Sequence, residues 1–151
     1  MSTTIWRTKW DLDRVNELAG GTMIEHLGIE YVELGSDFIR GTMPVDERTI
    51  QPYGLLHGGA SVTLAETLGS MAANMCVDPA SKMCVGLEIS ANHVRQVRAG
   101  VVTGTARPLH IGARTHVWEI RVEDESERLV SICRLTILVL ERESGTRRET
   151  T

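Results

Sequence analysis

The sequence has no excess of positive charge: 16 Lys and Arg stand against 20 Asp and Glu, a formal net charge of -4. No overall field therefore draws it to nucleic acid or to an anionic membrane, and an anionic ligand has to be held by local basic groups. No apolar run approaches the roughly 20 residues that span a bilayer. The N-terminal stretch MSTTIWRTKWDLD lacks an apolar h-region, so a signal peptide is not expected. The cysteines Cys76, Cys84 and Cys133 are odd in number and lack metal-ligand spacing, which points to a reduced, cytoplasmic compartment. His93, His110 and His116 show no HxxxH-type spacing, so no metal site is expected. There is no P-loop and no GxGxxG, and GGASVT around Ser61 lacks the second glycine of a serine-hydrolase elbow. Internal repeats and low-complexity segments are also missing.

What is present suits one domain: 151 residues, 42% of them hydrophobic, are enough for a sizeable core. Asp11 is placed to cap a short helix, LDRVNELA, ended by Gly20-Gly21. GIEYVEL and DFIRGTM read as two strands joined at Gly35-Ser36, with Pro44 closing the second. Val45 to Leu56 has no period and reads as a loop. Gly58 to Val77 is rich in alanine, free of proline and apolar on nearly every face, the pattern of a buried helix, and Asp78-Pro79 ends it. Four strand-like runs follow, Met83 to Gln96, Gly100 to Leu109, Arg114 to Glu123 and Arg128 to Glu141. In the third, His116, Trp118, Ile120 and Val122 alternate onto one face. The order β-β-α-β-β-β-β predicts an α+β fold, an antiparallel sheet wrapped around one long helix. It covers residues 1–141, with a polar C-terminal tail over 142–151.

One charge interrupts the helix. Glu66 stands among small apolar residues in GLLHGGASVTLAETLGS, Gly54 to Ser70. As a structural group it would need compensation, an arginine or nearby hydroxyls such as Thr67 and Ser70, because an unpaired buried charge is costly. As a functional group it suits a general base. Gly58 begins the helix, where free N–H groups and partial positive charge can hold an oxyanion; the alternative is a tight loop-to-helix turn. Eight residues separate Gly58 from Glu66. At about 1.5 Å each, that is roughly 12 Å, beyond the reach of one side chain. If both act on one carbonyl, the site is shared between two chains with antiparallel helices. His57 is open to roles as base, ligand or hydrogen-bonding neighbour, and Gln51 offers a donor. Arg95, Arg98 and Arg114 are either phosphate contacts or solvated strand-end charges.

These motifs together resemble those of hotdog-fold acyl-CoA thioesterases. QPYGLLHGGASVTLAETLGS carries the resemblance, with TMPVDERT, VGLEISANHVRQVRAG and PLHIGARTHVWEIRV, over roughly Met43 to Leu140. The subgroup is that of 1,4-dihydroxy-2-naphthoyl-CoA, hydroxybenzoyl-CoA and phenylacetate-pathway thioesterases. The resemblance implies that Glu66 is the catalytic carboxylate and that the Gly58 N–H polarises the thioester carbonyl. It also implies Gln51 and His57 as supporting polar residues and Ser70 as an orienting hydroxyl. Gly86, His93, Val94, Arg95, Gln96, His110, Ile111, Gly112, Ala113 and Arg114 match regions that hold coenzyme A. It implies hydrolysis of an acyl-CoA, with an aromatic acyl group, in a dimer or dimer of dimers with interfacial sites. No cofactor is expected, coenzyme A being part of the substrate, and neither nucleic acid nor membrane is an expected partner. Two other readings stand beside it: a hotdog hydratase or dehydratase, and a non-catalytic acyl-CoA-binding module.

Overall fold

Asp11 opens the first regular element. Its carboxylate accepts the Arg14 N–H at 2.9 Å and caps α1, Leu12–Glu17. The structure, a computed structural model, describes residues 4–142, so most of the tail expected over 142–151 lies outside the described residues. Helix α1 stops before the Gly20-Gly21 pair, and a one-turn helix that the sequence did not reveal, α2 (Met23–His26), follows. Thr22 caps it through the Ile24 N–H, and Glu25 reaches back to the Gly21 N–H at 2.7 Å. Four residues are too few to show a helical period, so only the caps announce it.

The remaining elements are β1 (Glu30–Leu34), β2 (Ile39–Pro44), α3 (Gly58–Met75), β3 (Lys82–His93), β4 (Val101–Ile111), β5 (Thr115–Glu123) and β6 (Leu129–Glu141). The expected element order holds, and the β1–β2 hairpin turns where Gly35-Ser36 predicts. Strand β3 is shorter than read, because Val94 and Arg95 both turn their N–H groups to Val130 O. Strand β4 is longer, running to Ile111. One sheet results, ordered β1-β2-β4-β5-β6-β3, with every pair antiparallel. Helix α3 carries the chain from β2 at one side to β3 at the opposite edge. Among the described residues, no helix is long and apolar enough to cross a membrane.

The sheet wraps around α3, which buries Leu64, Ala65, Leu68, Ala72, Ala73 and Met75 against Trp118, Ile120, Leu135 and Ile137. The approach is close because the sheet removes side chains where the helix lands. Gly41 and Gly104 are register partners on β2 and β4, and a Cβ on either would stand 2.7 and 2.6 Å from a Leu68 methyl. The two glycines form a socket for that leucine. Complete burial of α3, implied by its apolar composition, does not occur in the single chain. Glu66, Thr67, Ser70, Met71 and Asn74 are only half-buried, because the sheet covers one face and cavities open on the other.

His116, on the buried face of β5 as expected, is 1% exposed and its Nδ1 has no hydrogen-bond partner. Burial holds its pKa below the ordinary 6.5, with neighbouring His110 acting in the same direction and Gly112 O against. The folded chain therefore binds fewer protons here than the unfolded chain. Stability should be intact above pH 6.5 and decline as the pH falls below it. Urea unfolding from pH 7.5 to 5 should show that slope in the wild type and a shallower one in His116→Gln.

Candidate active site

The loop before α3 is braced before it reaches the helix. Gln51 N–H bonds to Leu55 O, Leu56 N–H to Val97 O and His57 N–H to Thr49 O, each at 2.8 Å. The Leu56–Val97 bond draws the segment after β3 against the start of the helix. His57 is the N-cap: its Nδ1 accepts the Gly59 N–H at 2.8 Å, and its carbonyl accepts from Ala60 and Ser61. The accounting of the first turn leaves one donor over. The Gly58 N–H has no acceptor among the described residues. Gly58 lines a cavity of about 400 Å3 together with Gln51, Ser61, Val94, Arg95 and Gln96. His93 joins them, its Nε2 only 2.8 Å from where a Gly58 Cβ would be. The Gln51 side-chain oxygen is taken by the Tyr53 N–H, and its amide N–H groups have no acceptor among the described residues.

Glu66 belongs to a different cavity, of about 390 Å3, lined also by Thr67, Ser70, Met71, Tyr31 and Trp10. Ser70 Oγ donates to Glu66 Oε1 at 3.2 Å. Among the described residues Glu66 forms no ion pair. Its carboxylate lies over Gly86 of β3, and a Cβ built on Gly86 would overlap Glu66 Oε1. The strand pairing shifts register just there, between Gly86 and Glu88. Asn74, one turn beyond Ser70, clamps helix to strand by accepting the Cys84 N–H at 2.8 Å and donating to Cys84 O and Ser70 O.

The chain thus brings Gln51, Gly58, His93, Val94, Arg95 and Gln96 together, and separately Glu66, Ser70 and Gly86. Gly86 lies with the carboxylate, apart from the 93–96 group with which the sequence placed it. Ile111, Gly112 and Ala113 line a third cavity beside His116, with His110 folded over Gly112 and Arg114 exposed. Cys76 lines that cavity too, but burial pushes its thiol up to about 12 and that of Cys84 to about 11, so neither is a thiolate nucleophile. Sequence reasoning missed Tyr31, Trp10 and Asn74. The aromatics stand far from the helix motif in the chain and only the fold returns them to Glu66. Asn74 read as one more helix residue.

The sequence pattern of the Thioesterase superfamily matches residues 53–131. The 1,4-dihydroxy-2-naphthoyl-CoA hydrolase of Escherichia coli is 49% identical over 136 residues, 90% of this chain and 99% of its own length. The proofreading thioesterase EntH of Cronobacter turicensis is likewise 49% identical over 136 residues, 90% of this chain and 98% of its own. The crystal structure of a mutant of thioesterase PA1618 from Pseudomonas aeruginosa has a TM-score of 0.91 at 45% identity, over 92% of this chain and 100% of that one.

Gly86→Ala tests the seat of the carboxylate. The added methyl should push Glu66 aside and lower thioester turnover at least tenfold, with the melting temperature within a few degrees of wild type. Undiminished turnover would separate the carboxylate's position from activity.

Proposed function

Since the chain belongs to the Thioesterase superfamily and has its hotdog fold, we propose that the thioester it hydrolyses joins an aromatic acyl group to coenzyme A. The observation that carries this reading is the state of Glu66: a carboxylate with a hydroxyl partner, no ion pair among the described residues and a place in the lining of a largely apolar cavity. The named activity of the Escherichia coli relative, on an aromatic acyl-CoA, supports the acyl class.

Acyl transfer from a thioester requires three things: an attacking group, a stabiliser for the carbonyl oxygen and an exit for the thiol. Glu66 supplies the first, by attacking the carbonyl carbon itself or by taking a proton from the water that does. The Gly58 N–H, left over from the helix cap, supplies the second, with the Gln51 amide beside it. The thiol needs little help, because its pKa is near that of cysteine, about 8.5, and it departs as thiolate. His57 acts through its neighbour: by holding the Gly59 N–H it keeps the Gly58 N–H free and aimed. Where Glu66 itself attacks, water then hydrolyses the acyl anhydride and restores the carboxylate; by either route the products are the free acid and coenzyme A.

Glu66 and Gly58 lie in separate cavities, eight residues or roughly 12 Å apart along an unbroken helix. One reaction centre containing both needs a second copy with its helix running the other way, so the active form is a dimer or a dimer of dimers. Strand β3 lies at a sheet edge beside the Glu66–Gly86 contact, and pairing it with a second β3 would bring the half-sites together. The segments 93–96 and 110–114 then serve the coenzyme A arm, with Arg95 and Arg114 offered to its phosphates.

Glu66→Ala should reduce kcat on a hydroxybenzoyl-CoA at least 100-fold, in line with loss of a general base or nucleophile. The interfacial site has its own test. Glu66→Ala and Gln51→Ala chains, each poorly active alone, should regain about a quarter of wild-type turnover when co-expressed, because half the random dimers then hold one intact site. Full wild-type turnover by Glu66→Ala would remove the assignment, and a mixture no better than its parents would place both halves in one chain.

A further inference from the structure

The sheet has two edges, β1 and β3, and each is closed at one residue by an asparagine that reaches over from a helix. On β1, Asn16 of α1 donates to Tyr31 O and accepts from the Tyr31 N–H, both at 2.9 Å. On β3, Asn74 of α3 accepts from the Cys84 N–H at 2.8 Å and donates to Cys84 O at 3.0 Å. In an antiparallel ladder a residue turns its N–H and C=O to the same side, and successive residues alternate sides. Cys84 turns both to Asn74. Its register partner Val139 sends its own N–H away from β3, to Arg114 O at 2.9 Å. The asparagine therefore stands where a further strand would stand.

The two closures differ in what lies behind them. The second amide hydrogen of Asn74 goes to Ser70 O at 2.9 Å, and Ser70 donates its hydroxyl to Glu66. Glu66, Ser70 and Asn74 recur every four residues and form one polar stripe along α3. That stripe meets β3 twice, Asn74 at Cys84 and Glu66 at Gly86, two residues on along the same face of the strand. A fastening is needed there. Within the sheet β3 is paired with β6 alone, and that ladder shifts register between Gly86 and Glu88, just past the glycine. Gly86 is thus held by an interrupted ladder on one side and by the clamp two residues before it on the other.

We infer that Asn74 is a positioning residue of the reaction: by fastening β3 to α3 at Cys84 it keeps Gly86 beneath Glu66 and so fixes where the carboxylate stands. This rests on the assignment of Glu66 as the group that acts on the thioester. Asn74 is eight residues, roughly 12 Å, along the helix from Glu66 and acts on it through the strand. Its loss leaves the Cys84 N–H and C=O without their partner and the seat of the carboxylate free to shift.

The test is a double-mutant cycle read in kcat and KM on a hydroxybenzoyl-CoA, with wild type, Asn74→Leu, Gly86→Ala and the double variant as full chains. Asn74→Leu keeps the approximate size of the side chain and removes all three bonds. It should lower kcat at least fivefold with KM within threefold of wild type. In the Gly86→Ala background, where the carboxylate has already lost its seat, the same change should cost less than twofold in kcat. The melting temperature should fall by a similar amount in both backgrounds, because the bonds are lost in each. A kcat for Asn74→Leu within twofold of wild type, or an equal fold loss in the two backgrounds as general damage would give, overturns the inference. Should Asn74→Leu not fold, Asn74→Asp, which keeps the acceptor for the Cys84 N–H and loses both donated bonds, carries the same comparison. Glu66→Ala runs beside them. Full turnover in that variant removes the parent assignment, whereas its inactivity together with equal losses in the cycle confines the failure to Asn74.

Discussion

The contact between α3 and the sheet is made where the sheet has no side chains, and the rest of the structure depends on it. Gly41 and Gly104 stand side by side on neighbouring strands and receive Leu68; Gly86 on the far edge receives the Glu66 carboxylate. A leucine in a glycine socket is ordinary packing. A carboxylate in one is a different matter, because it brings a charge within van der Waals reach of a strand backbone without offering it a cation. The same geometric device gives the core its depth and seats the carboxylate. Asn74 ties the two uses together, since it clamps the strand carrying Gly86 to the helix carrying Glu66.

The helix also acts as a ruler. Because α3 is unbroken from Gly58 to Met75, its first N–H and its carboxylate cannot approach each other in one chain. Everything around each end is correspondingly complete on its own terms. At the start, His57 spends its ring nitrogen on Gly59, and the brace from Thr49, Leu55 and Val97 delivers one spare donor to a cavity with Gln51. Midway, Ser70 and Gly86 position a carboxylate in a cavity with aromatic walls.

Much of this was legible in the sequence because it is local. The hairpin at Gly35-Ser36, the Asp11 cap, the alternation through His116, Trp118, Ile120 and Val122, and the limits of α3 depend on neighbours a few residues away. The charge of Glu66 in an apolar run was visible for the same reason. What was hidden is long-range. Strand β3 pairs with β6 and not with its successor β4, an arrangement no local pattern states. Gly86 looked like part of the ligand-binding stretch that follows it, yet a register shift seats it under Glu66. Tyr31 and Trp10 stand far from the helix motif in the chain, and only the fold brings them to the cavity that Glu66 lines.

Among the described residues Glu66 forms no ion pair, although Lys82 and Arg142 line the same cavity. A fully buried carboxylate would need an arginine or a full set of donors, since leaving it unpaired is costly, but Glu66 is half-buried in the single chain. Among the described residues one hydroxyl, at 3.2 Å, donates to Glu66, and the residue lines a cavity. Ion pairs are not scarce in this chain: Arg40–Glu33, Arg48–Asp46, Arg107–Asp37 and Arg128–Asp124 all form within 3 Å on the surface. These pairs form where water already screens the charge, and among the described residues none of them includes the one carboxylate in the long helix. That distribution is compatible with the role proposed for Glu66, since an attacking oxygen must have lone pairs to give.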